Sequence, residues 1–382
     1  MRGPTQGGLL LSVFVVVALI LAHALPAGAE GLTVELSSPQ SDDQGRYVPS
    51  PGPTGVTVYG LVSGGETVRA VTVNGVDAKL FSAEGAALGA RERAQTVAFK
   101  AYLNLGPRET VRVRVRPDAG EAQVATFEPN GEATVKRLRA LVAEKSGPAA
   151  AWRRLANALS DQGRLTEAAS AYRRALKQNP KLVAAYVGLA ETLRFRSISP
   201  ARPMGQYAGG PLEPEDYGPH FHGGVTLCAE TEMREAGVAQ TERDRELLND
   251  AIGLYRKAVE LAPDDFEAQF GLGLALCDAK RPNEALPAYR KAVAIDPDDF
   301  EARFHLGCVL RRTGQLDEAI ASQRKAIDLR PDFAPAHSCL SLALYAKGDY
   351  DAAWRQVHLT QKCGARVSPK FLEALRKKMP EP

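Results

Sequence analysis

Residues 266–299 read FEAQFGLGLALCDAKRPNEALPAYRKAVAIDPDD, and residues 300–333 read FEARFHLGCVLRRTGQLDEAIASQRKAIDLRPDF. The two stretches align without a gap. The match extends outward at the same period: Pro263, Pro297 and Pro331 are each 34 residues apart, and so are Ala251, Ala285, Ala319 and Ala353. Ala258, Ala292 and Ala326 form a third such column. Each unit carries two helical apolar patterns. Small residues recur where two helices must cross closely. The proline closes the second helix, because it cannot continue the hydrogen-bond ladder.

Further columns fill in around these. Leu272, Gly273, Leu276, Ala285, Ala292 and Pro297 recur in order as Leu306, Gly307, Leu310, Ala319, Ala326 and Pro331, with Tyr289 matched only in the first of these units and Gly314 only in the second. Upstream, Trp152, Leu155, Ala156, Leu159, Gly163, Ala168, Tyr172, Ala175 and Pro180 follow the same order. This segment resembles the tetratricopeptide repeat family. Five repeats are predicted over 148–367, at 149–182, 183–265, 266–299, 300–333 and 334–367. The fifth is degenerate, as terminal units of such arrays tend to be. Ser368-Pro369 opens a capping helix over 368–382, and residues 131–147 read as a linker helix.

The second repeat is interrupted. It begins with Tyr186, Leu189, Ala190 and Leu193 and resumes at Ala251, Tyr255, Ala258 and Pro263. Its proline comes 83 residues after Pro180, which leaves an insertion of 49, placed at 197–246. Ser197 to Gly224 holds 6 Gly and 5 Pro in 28 residues, so no regular element is predicted there. His220, His222 and Cys228, near Glu213, Glu215 and Asp216, are metal-capable, but they fit no zinc spacing. The favoured reading has Tyr207, Tyr217, Phe221 and His222 pinning the loop to the array. No metal and no cofactor are expected.

The first 130 residues differ in kind. Arg2, the apolar run Leu9–Ala22 and Ala27-Gly28-Ala29 predict a signal peptide over 1–29, cleaved rather than kept as an anchor. The mature chain would then be exported, periplasmic or extracellular, with no stable membrane span. From 30 to 130 the apolar pattern has period two. Strands are predicted at Thr33–Leu36, Val56–Val62, Val68–Val73, Lys79–Ser82, Thr96–Leu103, Thr110–Arg116 and Ala122–Phe127, with Ser37–Pro53 as loop. Asn74-Gly75 between Val73 and Val76 is a hairpin signal, since a type I′ turn needs positive φ at both central residues. In Val111–Arg116 the valines face one side and the arginines the other, read as a solvated face. Gly60-Leu61-Val62, Val71–Gly75, Phe99–Gly106 and Val111-Arg112-Val113 resemble bacterial Ig-like modules, which implies a two-sheet β-sandwich. The predicted fold class is thus a β-sandwich followed by an α-helical solenoid.

The tetratricopeptide resemblance implies that the first helices line a concave groove. Its predicted partner-binding residues are Arg153, Asn157, Arg194, Phe270, Phe304, Arg311, Arg312 and Tyr345. Arg153 and Asn157 resemble the start of a carboxylate clamp, but Gly188, Glu267 and Gly271 stand where its other members belong, so a true clamp is rejected. An alternative has Arg311 and Arg312 paired with Asp278 and Glu301. Phe270 and Phe304 are read as exposed apolar anchors, whose joint replacement by alanine should abolish partner capture without unfolding the array.

Five cysteines in 382 residues make no disulfide framework. Cys277 and Cys308 lie on the first helices of adjacent repeats and are weighed as a disulfide against buried thiols. The chain holds 48 basic and 45 acidic side chains, a balance that argues against nucleic acid as a partner. No nucleophile elbow, phosphate loop, HExxH or paired CxxC occurs. The expectation is a non-enzymatic scaffold whose groove binds a peptide or partner domain. The alternative is a wall-associated protein binding glycan through the β module.

Overall fold

A computed structural model describes residues 33–38, 46–47, 55–82, 94–104, 111–117, 122–129, 131–144, 148–198 and 242–382. The predicted signal peptide and the metal-capable residues of the insertion lie outside this set. The chain divides into two compact units, one ending at Ala185 and the other beginning at Tyr186.

The first unit opens with eight strands: β1 (Thr33–Ser38), β2 (Arg46–Tyr47), β3 (Gly55–Val73), β4 (Val76–Asp77), β5 (Lys79–Ser82), β6 (Ala94–Asn104), β7 (Val111–Pro117) and β8 (Gln123–Pro129). They join in one hydrogen-bonded sheet of order β2-β8-β7-β3-β6-β5, with β1 and β4 also paired to β3. The segments expected as two strands, at 56–62 and 68–73, are one. Gly64-Gly65 does not end it, because the ladder continues on both sides through register shifts between Ser63 and Val68. Near its start β3 pairs with β1 and β6, and near its end with β7 and β4. The described strands therefore form a single ladder rather than two separately bonded sheets.

Alternation sets the core of this sheet. Val111, Val113 and Val115 are fully buried while Arg112, Arg114 and Arg116 are exposed. Leu36, Val62, Val71, Val73, Val97 and Phe99 complete the buried cluster. The hairpin takes the form read from the sequence. Asn74 and Gly75 have φ of +48° and +86°, and Val73 faces Val76. Asn74 is tied to β7 as well: its Oδ1 accepts from the Arg112 N–H at 2.7 Å, and its own N–H donates to the Arg112 carbonyl at 2.9 Å.

Three helices follow in this unit, α1 (Gly131–Glu144), α2 (Ala149–Asp161) and α3 (Leu165–Gln178). The helix expected as a linker is more than that. Moved along by one 34-residue period, α1 coincides with α3, so it occupies the place of a second helix in a preceding half-repeat. Its Arg139 pairs with Glu167 of α3 at 2.6 Å. The second unit shows the same relation twice. Arg256 pairs with Glu284 at 2.9 Å, and Arg290 pairs with Glu318 at 2.8 Å.

The helix α4 (Val183–Ile198) runs across the division between the units. Beyond it come α5 (Glu242–Leu261), α6 (Phe266–Asp278), α7 (Pro282–Ile295), α8 (Phe300–Arg312), α9 (Leu316–Leu329), α10 (Ala334–Lys347), α11 (Tyr350–Lys362) and α12 (Pro369–Lys378). The periodic alanines at 251, 258, 285, 292, 319, 326 and 353 are all fully buried, where neighbouring helices touch. Gly273 has the same cause: a Cβ there would stand 2.7 Å from Tyr289 Cε1. Asp265 and Asp299, one period apart, each cap a first helix, accepting from the N–H of Ala268 and of Ala302 at 2.8 Å. The last helix, α12, is in phase with the first helices. Its Phe371 and Leu375 close the core around Trp354 and Leu344.

Candidate interaction groove

The residues predicted for the groove separate into two groups. Arg311, Arg312 and Tyr345 keep part of their surface. Arg311 and Tyr345 are one period apart and so hold the same place in successive first helices. Tyr345 is braced from behind by Tyr350 and Phe371, with ring centroids at 5.6 and 5.5 Å. Leu342 and Ser338, one and two turns earlier on α10, are also partly exposed. Together these offer cations, a phenol and an apolar side chain along one run of helix ends.

Phe270, Phe304 and Arg194 are core, which corrects the reading of them as exposed groove residues. Phe270 is 3% exposed. Its ring stacks on Phe266 at 5.6 Å and meets Tyr289 and His305 edge-on at 5.9 and 5.3 Å. Phe304 has no exposed surface and packs edge-on against His305 and Phe333 at 5.0 and 5.2 Å. The cause is the stacking itself. The Phe270 and Phe304 rings fall between their own second helices and the next repeat, so each becomes a wedge between repeats. His305 links the two phenylalanines and lies parallel to Tyr289 at 5.6 Å. Burial holds the Tyr289 phenol well above its ordinary range.

Arg194 is fully buried on α4. Its Nη1 donates to Asp278 Oδ2 at 2.8 Å, and its guanidinium lies 4.8 Å from the centre of the Phe195 ring. Burial works against its charge. The Asp278 carboxylate more than offsets this, so its proton is held more tightly than in a free arginine. Asp278 is thereby engaged by Arg194.

In the first unit, Arg153 and Asn157 stand one turn apart on α2 and are partly exposed. The Asn157 amide is not wholly available, since its Oδ1 accepts from the Tyr172 hydroxyl at 2.7 Å.

Cys277 and Cys308 are buried thiols, the reading weighed against a disulfide between them. None of the four described is in a disulfide. The close pair is Cys308 with Cys339, their Sγ atoms 3.1 Å apart. Sequence spacing could not choose between this pair and Cys277 with Cys308, because both are separated by 31 residues. Cys277 lies in the neighbourhood of the Tyr289 phenol. Among the described residues no group of three or more His, Cys, Asp or Glu could hold a metal ion. No helix among them is long and apolar enough to cross a membrane.

Comparison with known proteins agrees on the repeats. The tetratricopeptide repeat profile matches residues 149–182, and again 239–300, 276–335 and 304–357. No curated protein matches the chain. Among solved structures, YrrB, described as a TPR protein with an unusual peptide-binding site, is 20% identical. The alignment covers 64% of this chain and 98% of YrrB, with a TM-score of 0.43. MamA is 22% identical over 58% of this chain and 96% of its own, at 0.39. A MamA from Desulfovibrio magneticus is 18% identical over 56% and 94%, at 0.41.

Proposed function

Tetratricopeptide repeats build residues 149–182 and 239–357, and from that premise we propose that the chain is a non-catalytic scaffold that holds a peptide or a partner domain on its first helices. One observation carries this reading. Arg311, Arg312, Leu342 and Tyr345 stay partly exposed on helices whose other faces are locked into the inter-repeat core. Fixed helices present these side chains at little further cost in ordering, which favours recognition of an extended or helical segment. The cations suit a segment bearing carboxylates. Residues 1–29 support action outside the cytoplasm, so the partner is sought among exported proteins.

The glycan alternative would rest on the β module. Its outward row of Arg112, Arg114 and Arg116 offers charge rather than a stacking surface, so the repeat reading is preferred.

A random peptide library panned on the immobilised full chain tests the proposal. Recovered peptides should compete with one another and should lose roughly tenfold or more in affinity to the Arg311→Glu, Arg312→Glu variant. Binders indifferent to both substitutions, or failure to select any peptide, would remove the groove as the site.

A further inference from the structure

We propose that Cys308 and Cys339 form a reversible dithiol–disulfide site that exchanges with a low-molecular-weight disulfide. They lie on α8 and α10, the first helices of adjacent repeats, with Sγ atoms 3.1 Å apart and exposures of 6% and 1%. A disulfide needs about 2.05 Å, so the bond requires the two sulfurs to approach by about 1 Å. A bridging metal would need further ligands, and among the described residues no third metal-capable residue joins the pair.

The surroundings distinguish the two sulfurs. Gln323 on α9 is fully buried and donates through Nε2 to the Phe304 carbonyl at 2.9 Å and to Cys308 Sγ at 3.4 Å. A donor aimed at sulfur favours the thiolate, which is the nucleophile. Gly307 makes the room for that amide, since a Cβ there would stand 2.6 Å from Gln323 Nε2. Cys308 is also the more exposed of the pair.

The chemistry follows from this asymmetry. The Cys308 thiolate attacks one sulfur of the external disulfide. That S–S bond breaks, and one small-molecule thiolate leaves and takes up a proton. Cys339, deprotonated in turn, attacks Cys308 Sγ in the mixed disulfide and expels the second thiol. Two protein thiols are oxidised and one disulfide is reduced to two thiols. The product ties α8 to α10 and fixes the spacing of two helices that carry Arg311, Arg312 and Tyr345. The inference does not depend on the binding proposal and would hold for a chain with no peptide partner.

The test uses the reduced full chain exposed to oxidised glutathione, then quenched, alkylated under denaturing conditions and mapped by mass spectrometry. Two thiols should escape alkylation, and a cross-linked pair of peptides containing Cys308 and Cys339 should account for nearly all of the loss. Cys277→Ser should leave the link intact. Cys339→Ala should stop at a glutathione adduct on Cys308. Full alkylation of both residues, or a link that instead joins Cys277 or Cys363, would overturn the site. An adduct found on Cys339 in Cys308→Ala but never on Cys308 in Cys339→Ala would overturn the assigned order of attack. Circular dichroism on each variant separates loss of chemistry from loss of fold.

Discussion

Arg194 and Asp278 are 84 residues apart in sequence and 2.8 Å apart in the fold, with side-chain exposures of 1% and 8%. The bond spans the insertion and joins the helix before it to the end of a helix after it. Such a pair is weak evidence for net stability but is costly to break on one side. Asp278→Ala should therefore destabilise the second unit by about 3–5 kcal/mol. Arg194→Met combined with Asp278→Leu should recover most of the loss. Urea midpoints of the parent and the two variants check this, and a double variant no better than Asp278→Ala would sink it.

Glycines in the array separate into those that are needed and those that are not. Gly273 faces the buried Tyr289 ring, and Gly273→Ala should cost about 1–3 kcal/mol through overpacking. Gly253 is an exposed helical position with nothing within 4 Å of a new Cβ. Gly253→Ala should stabilise by about 0.5–1 kcal/mol. Thermal midpoints that moved in the same direction for both would contradict the packing described.

The phenylalanines predicted as anchors give a different outcome now that they are placed. Phe270→Ala or Phe304→Ala should each cost about 3–5 kcal/mol as core truncations. Loss of binding in either would report unfolding. Arg311→Glu with Arg312→Glu should leave the melting temperature within a few degrees while weakening peptide capture, a separation that far-UV circular dichroism and calorimetry would show.

Asp265 makes a pH-dependent prediction. Burial pushes its carboxyl up from the ordinary 3.8, and the Ala268 N–H draws it partly back. A raised acid resists ionisation in the fold, so its contribution is fully present below the unfolded value and is lost as pH rises through the folded one. Asp265→Asn keeps an acceptor for the Ala268 N–H and removes the ionisation. Relative to the parent, it should gain stability as pH rises across the carboxylate range and keep the gain at neutral pH. Paired melting curves from about pH 3 to 7 would show the opposite slope if the cap were not strained by charge.

The repeat period, the capping aspartates and the Asn74-Gly75 turn were legible because each rests on local chemistry that repeats or admits few residues. The half-repeat at α1 was not, since Thr134 and Leu141 stand in columns that elsewhere hold alanine. Phe270 and Phe304 were misassigned because sequence gives a residue's helical face but not how closely the next repeat covers it. Arg194 with Asp278 was invisible for a simpler reason: only the closed fold brings together the two sides of an insertion. The single long β3 was hidden by the polar and glycine residues at 63–67, across which the register shifts but the strand continues.

The paired charges on the second helices make the array modular in a specific sense. Excising residues 266–299 would carry Glu318 into the place of Glu284, opposite Arg256, and would bring Asp299 out of the chain while leaving Asp265 to cap Phe300 in its stead. The packing alanines would close over the gap, since Ala319 and Ala326 take the places of Ala285 and Ala292, but position 278 would not. Arg312 would arrive where Asp278 had been, facing the buried Arg194 with like charge. The repeat that follows the insertion is therefore not exchangeable for its neighbour.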